Sequence, residues 1–324
     1  MKVLVAGGAG FIGSHFAERL LAAGEEVVIL DKLTYAGNEA NLPEGAAFHR
    51  GDVAVQEDLE AIGAVDAVVN FAAESHVDRS ILGPAEFVRT DVLGALALVQ
   101  HARGLGIRLV QVSTDEVYGD VSAPAREDAT LRPSSPYSAS KAGGDLQVLA
   151  AVRTFGANAC ITRGSNTYGP RQYPEKLIPL FVTNALDGEP LPLYGDGRQV
   201  RDWLHVDDHC AAIELVLREG VSGQVYNAGG DDERENRDVA ERIIELTAAD
   251  HSLLRRVEDR PGHDRRYSLD SSKLRSLGWR PRRRFDEGLA ETVAWYRANR
   301  AWWEPLKSGE YRAYYERQYA DRLR

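Results

Sequence analysis

The apolar run Lys2 to Ala6 breaks into Gly7-Gly8-Ala9-Gly10-Phe11-Ile12-Gly13, after which Ile12, Phe16 and Leu20 recur every four residues up to a stop at Gly24. No other stretch limits the fold so tightly. A strand, a glycine turn and a helix in that order form the opening of a dinucleotide-binding unit. Glycine is needed there where the turn is tight, where backbone approaches a pyrophosphate, and where helix packs on sheet. The helix N-terminus then offers free N–H groups to the phosphates. A second apolar run, Val27 to Leu30, ends at Asp31. A carboxylate in that place accepts hydrogen bonds from the adenosine ribose and repels a 2′-phosphate, which favours NAD over NADP. Gly7, Gly10, Phe11, Ile12, Gly13 and Asp31 are therefore the first cofactor candidates. Asp52 and Val53, just past the strand-like Ala46 to His49, are placed to meet the adenine.

The alternation continues. Ala67 to Phe71, Leu109 to Ser113 and Ala159 to Thr162 read as strands, and Pro84 to Arg103 and Tyr137 to Thr154 as long helices. The fold expected is α/β: a Rossmann-type doubly wound parallel sheet with a smaller mixed α/β substrate-binding domain. Residues 1–165 form the NAD domain, with part of 200–226 returning to it. Residues 166–324, turn-rich, aromatic and charged, mainly bind the substrate. With 39 Lys and Arg against 49 Asp and Glu, the net charge of −10 argues against a general grip on nucleic acid. No apolar run is long enough to span a bilayer, and the N-terminus is a poor signal peptide. The cytoplasm is the expected setting. Cys160 and Cys210 read as core residues, and no metal is expected. In His205-Val206-Asp207-Asp208-His209, either aspartate reads as a helix cap. Arg280 to Arg284 is read as a solvated loop, and the aromatic tail from Trp295 to Tyr319 as helix packing.

The chemistry-bearing residues cluster after the fifth strand. Thr114 stands at its end, where open α/β sheets bind ligands, followed by Asp115 and Glu116. Tyr137 and Lys141, four apart, share a helix face, and the lysine charge is expected to lower the phenol pKa. Two carboxylates work as an acid and a base when their surroundings push their pKa values apart.

In this order, GGAGFIG, DKLTYAGN, FAAESHVDRS, STDEVYG, YSASK, NTYGPRQYPEKLIP, YGDGRQVRDW and GHDRRYSLD resemble the extended short-chain dehydrogenase/reductases, specifically the dTDP-glucose 4,6-dehydratase family. The match runs from the first strand to about Pro305, and Asp115-Glu116 after Thr114 is the pair that distinguishes this family from its epimerase and decarboxylase kin. The resemblance implies that Tyr137, tuned by Lys141, takes the sugar's C4 hydroxyl proton while NAD⁺ takes the C4 hydride and Thr114 holds the oxygen. Glu116 then removes the C5 proton, Asp115 protonates the departing C6 hydroxyl, and the hydride returns to C6. It also implies that Lys32, Leu33, Thr34, Phe71, Ala72, Ala73, Ser75, Thr90 and Thr167 meet NAD. Glu74, His76, Asn166, Lys176, Leu177, Pro192, Tyr194, Arg201, Asn236, Arg260 and His263 would meet the nucleotide sugar. A homodimer joined by four helices, Pro84 to Arg103 and Tyr137 to Thr154 from each subunit, is implied as well. Two other readings remain: an enzyme acting on a UDP- or CDP-linked sugar, against which Asp115 speaks, and a silent NAD-binding regulator, against which the complete catalytic set speaks.

Overall fold

A computed structural model describes all of the 324 residues except Asp321 and Arg324. The first part of the chain runs β1 (Lys2–Ala6), α1 (Phe11–Ala22), β2 (Glu26–Asp31), β3 (Ala47–Arg50), α2 (Gln56–Glu60) and β4 (Ala67–Asn70). It continues through α3 (Val77–Leu82), α4 (Pro84–Phe87), α5 (Gly94–Leu105), β5 (Arg108–Thr114), α6 (Pro136–Phe155) and β6 (Ala159–Gly164). The remainder is β7 (Asn166–Tyr168), α7 (Leu177–Asp187), β8 (Leu191–Tyr194), β9 (Val200–His205), α8 (Val206–Glu219), β10 (Val225–Ala228) and β11 (Glu233–Glu235). Then come α9 (Asn236–Thr247), β12 (Leu254–Val257), α10 (Ser272–Ser276), α11 (Phe285–Ala298), α12 (Arg300–Trp303) and α13 (Gly309–Tyr319).

Seven parallel strands form the main sheet in the order β10-β6-β5-β4-β1-β2-β3. Its central strands β1, β4 and β5 are buried along nearly their whole length because both faces are covered, as parallel sheets require. One face packs α1 and α8 through Phe16, Leu20, Ile213 and Val216, and the other packs α2, α5 and α6 through Leu59, Leu98 and Val148. Burying each such side chain contributes about 1.5–3 kcal/mol. The strand order reverses beside β1, so the ends of β1 and β4 part and leave a crevice, which is where such sheets take ligands.

The smaller part holds a three-stranded sheet, β11-β9-β7, and a parallel pair, β12-β8. Its core joins α7, α9, α11 and α13, with Tyr168, Phe181, Tyr296 and Trp303 buried. The aromatic tail is thus packed rather than presented to solvent. Arg282 to Arg284 are exposed as expected. Cys160 and Cys210 are buried and unpaired. Two local expectations change. The stretch after Pro84 is not one regular helix, since Val88–Leu93 widens into a π-helical turn between α4 and α5. The cap of α8 is neither aspartate: the His205 side chain accepts from the Asp207 N–H, while Asp208 turns away to accept from the Arg282 and Arg283 N–H groups. No helix among the described residues is long and apolar enough to cross a membrane.

Candidate active site

The glycine loop has two separate demands on it. Gly7 sits at φ +77°, and a Cβ there would lie 2.5 Å from the Ala72 nitrogen. At Gly13 a Cβ would lie 2.3 Å from the Gly7 carbonyl oxygen. Those two glycines are required by the chain's own packing. At Gly10 a Cβ would meet only the Gly7 oxygen, at 3.3 Å, so its bareness leaves room outside the protein. Gly10 also begins α1, whose first turn has no side-chain cap and no acidic residue. The positive helix end is therefore left for an anion. Asp31 closes the cradle: Oδ2 accepts from the Ala9 N–H at 3.0 Å and Oδ1 from the Leu33 N–H at 2.8 Å. Burial raises its carboxyl, against those hydrogen bonds and the Lys32 charge. This loop, helix end and acid fit a dinucleotide.

Phe11, Ile12, Lys32, Thr34, Val53, Phe71, Ala72, Ala73, Ser75, Thr90 and Thr167 line the same cleft. Lys32 donates to Thr90 at 2.9 Å and lies 3.7 Å from Glu74, which also lines it. Leu33 and Asp52 do not. Leu33 is held back from it at φ +55° by its bond to Asp31, and the Asp52 carboxylate accepts from Arg89 at 3.1 Å and from the Ala54 N–H.

The catalytic candidates stand together where β5 ends, all lining the cleft. Thr114 Oγ1 donates to Asp115 Oδ1 at 3.1 Å and accepts the Glu116 N–H at 3.2 Å, which sets both carboxylates on one short turn. Asp115 is buried with Oδ2 unpartnered, and Glu116 Oε2 is likewise unpartnered. Their surroundings differ. Burial, then the Glu116 charge, pushes the Asp115 carboxyl well above the carboxylate range. Burial raises Glu116 too, but the charges of Arg260, Lys176 and Arg201 oppose it. Burial thus lifts both carboxyls and the three cations offset it at Glu116, an arrangement that suits Asp115 to act as the acid and Glu116 as the base.

Tyr137 and Lys141 are positioned by α6, whose start is fixed by Pro136 and a reciprocal Ser135–Ser138 cap. The expected lowering of the phenol is not what the protein's groups produce. Burial, then the charges of Glu116 and Asp91, pushes the phenol well above its ordinary value, and the hydrogen bond with Thr114 opposes them. Lys141 instead donates to the Val112 carbonyl at 2.9 Å, and its charge acts on Asp91. Asp91 lies in the π-helical turn, accepts from Ser140 at 2.5 Å, and is pushed up by burial to about 7.

Among the substrate candidates, Asn166, Lys176 and Leu177 line the cleft, whereas His76, Pro192, Tyr194, Arg201, Asn236, Arg260 and His263 do not. Pro192 is buried beside Arg255 in the β8–β12 pair. Asn236 is buried with Oδ1 unpartnered. Arg201 lies 4.2 Å over the Tyr267 ring and donates to the carbonyls of Val200 and Asp264. Lys176 donates to the Ser75 carbonyl, and His263 to Asp259 at 2.5 Å. His76 sits between the Glu175 carbonyl at 3.2 Å and the Tyr314 hydroxyl at 3.3 Å, kept neutral chiefly by burial. The charges of Arg260, Lys176 and Arg201 nonetheless all act on Glu116. Sequence reasoning missed Asp91, Glu175 and His209, the last of which lines the cleft, pairs with Thr167 at 2.8 Å and fills the space beside Gly164. Spacing along the chain gives no sign of them.

Comparison with known proteins identifies the relatives of this site. A family model described as GDP-mannose 4,6 dehydratase matches residues 4–292. A dTDP-glucose 4,6-dehydratase of Streptomyces niveus is 51% identical over 324 residues, covering 95% of this chain and 96% of its own. One from Salmonella typhimurium is 43% identical, covering 99% and 100%. The crystal structure of DesIV, the dTDP-glucose 4,6-dehydratase of Streptomyces venezuelae with NAD and dTDP bound, is 53% identical with a TM-score of 0.92, covering 95% of this chain and all of that one. The chain belongs to the dTDP-glucose 4,6-dehydratase family. The fold reaches wider than this family, since the UDP-glucose 4-epimerase of Thermus thermophilus, solved with NAD, superposes at a TM-score of 0.88 with 35% identity. The shared sheet therefore does not by itself set the activity.

Proposed function

We propose that this chain is an NAD-dependent lyase that converts dTDP-glucose to dTDP-4-keto-6-deoxyglucose, with Thr114, Asp115, Glu116, Tyr137 and Lys141 as its catalytic residues. The observation that carries the reading is the buried Asp115–Glu116 pair at the end of β5, held on one short turn by Thr114 and lining the cleft beside Tyr137. NAD⁺ held by the glycine loop and Asp31 accepts the C4 hydride and returns it to C6. Thr114 orients the C4 oxygen, and Tyr137, entering the step as the phenolate that the Thr114 hydrogen bond favours, takes its proton. Glu116 removes the C5 proton, acidified by the ketone at C4. Asp115 gives its proton to the C6 hydroxyl, which leaves as water, and Glu116 returns a proton to C5. At the end Tyr137 holds one proton more and Asp115 one fewer, and the Thr114 hydroxyl bridges the two.

Residues 1–165, joined by α8 and β10, make the cofactor half in this reading, and most of 166–324 selects the sugar nucleotide. Arg201 and Arg260 take the diphosphate, for which the planar guanidinium is suited. Because reduced NAD is an intermediate, its release would abort turnover. The deciding experiment incubates the purified protein, with no cofactor added, with dTDP-glucose or UDP-glucose. The alkali-shifted absorbance of a 4-keto sugar is expected from dTDP-glucose. Its absence even with NAD supplied overturns the reading.

Gly13→Ala forces a Cβ to within 2.3 Å of backbone. The variant is expected to purify without NAD and with a lowered Tm, read by ultraviolet absorbance of the released cofactor and by calorimetry. A homodimer is supported by apolar residues left exposed on the two helical stretches expected to form it, Val88 at 50% and Leu93 at 51% between α4 and α5, and Leu146 at 56% on α6. Leu146→Glu is expected to sediment as a monomer. A species of unchanged mass at the same concentration removes these stretches as the contact. The unpaired cysteines and the sugar-nucleotide substrate suit a cytoplasmic setting.

A further inference from the structure

Four distant segments meet at one buried carboxylate outside the catalytic cluster. Asp78, on α3, is 4% exposed. Its Oδ1 accepts from Arg260 at 3.0 Å, and its Oδ2 accepts from the Tyr194 hydroxyl at 2.8 Å and from the Gln318 amide at 3.2 Å. Gln318 also donates to Tyr194 at 2.7 Å, and the Tyr319 hydroxyl lies 3.3 Å from the same oxygen. Gln318 and Tyr319 belong to α13, so the C-terminal helix closes this network from outside. Burial alone would raise the Asp78 carboxyl. The charges of His76 and Arg260 and the hydrogen bonds from Arg260 and Tyr194 outweigh it and hold it down to about 2.

The geometry around Arg260 is what gives this network a purpose. A guanidinium has five N–H donors in a rigid fork. Asp78 engages one end nitrogen, while the buried Nε has no partner among the described residues. The fork is held by one corner with its side edge free. Arg201 and Lys176, whose charges also act on Glu116, are held by main-chain carbonyls. The Arg260 charge acts against those of Lys176 and Arg201, and among the described residues Arg260 is the one of the three with a carboxylate at ion-pair distance, Asp78 at 3.0 Å.

We propose that Asp78 is the positioning residue for Arg260 in the diphosphate subsite, and that Tyr194 and Gln318 hold Asp78, which makes the C-terminal helix a working part of substrate binding. This rests on the reading of Arg260 as a diphosphate ligand. Asp78 touches no substrate itself. It fixes the edge that Arg260 presents, and its hydrogen bonds from α13 keep it from following the guanidinium towards a bound anion.

The test measures dTDP affinity by calorimetry, and KM and kcat for dTDP-glucose, in Asp78→Asn, Gln318→Ala, Arg260→Ala and the double variant Asp78→Asn/Arg260→Ala. Losing one charge-assisted anchor is expected to weaken dTDP binding about tenfold in Asp78→Asn, with KM rising in step, kcat within about threefold and NAD content unchanged. Arg260→Ala is expected to weaken dTDP roughly 30-fold or more. The double variant is expected to match Arg260→Ala alone, because a residue acting through another adds nothing once that one is gone. A merely structural Asp78 would give additive losses, or a lowered Tm with dTDP affinity intact, and either result overturns the proposal while leaving Arg260 in its role. Unchanged dTDP affinity in Arg260→Ala removes Arg260 from the subsite and the proposal with it. Should Asp78→Asn not fold, Gln318→Ala decides alone by the same cycle with Arg260→Ala.

Discussion

Glu116→Gln is expected to reduce its NAD on dTDP-glucose, yet to lose exchange of the C5 proton with solvent and to turn over about 10²–10⁴-fold more slowly. Glutamine keeps the size and the backbone bond to Thr114, since that bond uses the Glu116 N–H. What disappears is the one carboxylate near the substrate that three cations favour in ionised form. The step before it should survive and even ease, because the Glu116 charge is among the influences that raise the Tyr137 phenol. Absorbance of NADH follows the first step, and deuterium incorporation at C5 follows the second. Exchange at the wild-type rate removes Glu116 as the base.

Asp115→Asn is expected to move activity and stability in opposite directions. Asparagine has no acidic proton for the departing hydroxyl, so kcat should fall by about 10²–10⁴. The stability argument follows from protonation. The folded pKa of Asp115 lies well above the unfolded value of about 3.9. Between those two values the folded protein binds more protons than the unfolded chain, so its stability falls as pH rises from near 4 through the folded pKa. Asparagine removes that loss, and also the unpartnered charge that ionisation would leave at Oδ2. At neutral pH the variant should unfold a few degrees higher, about 1 kcal/mol of added stability for a chain of this size. The gap should narrow towards pH 4 and close below it, where the folded and unfolded wild-type both carry the proton. A variant less stable at neutral pH would show that Asp115 is held ionised.

Part of the candidate site could be placed from the sequence because chain order and sheet order coincide there. Gly7 to Gly13, Asp31 and Thr114 to Glu116 sit at ends of strands in the main sheet, and strand ends follow from apolar runs alone. The aromatic tail was legible as packing but not as packing against the substrate side, since Gln318 and Asp78 are 240 positions apart and no periodicity joins them. The direction of the Tyr137 shift was misjudged for a related reason. A lysine one turn away is visible in the sequence, but the burial of the phenol and the carboxylates facing it come from β5 and the helical turn at Asp91, which only tertiary packing brings up. The cap of α8 failed on a local matter, because His205 competes for the N–H that either aspartate could have taken.

The seventh strand of the main sheet has an implication for how the protein is made. β10 pairs only with β6, and it lies at Val225–Ala228, some sixty residues after β6 ends. A chain emerging from the ribosome therefore exposes the free edge of β6, with its row of unpaired N–H and carbonyl groups, through the synthesis of the whole stretch between them. At about 5–20 residues per second that interval lasts several seconds. Newly synthesised chains should be most prone to associate wrongly in that window, and to gain resistance to protease once residue 228 is clear of the ribosome.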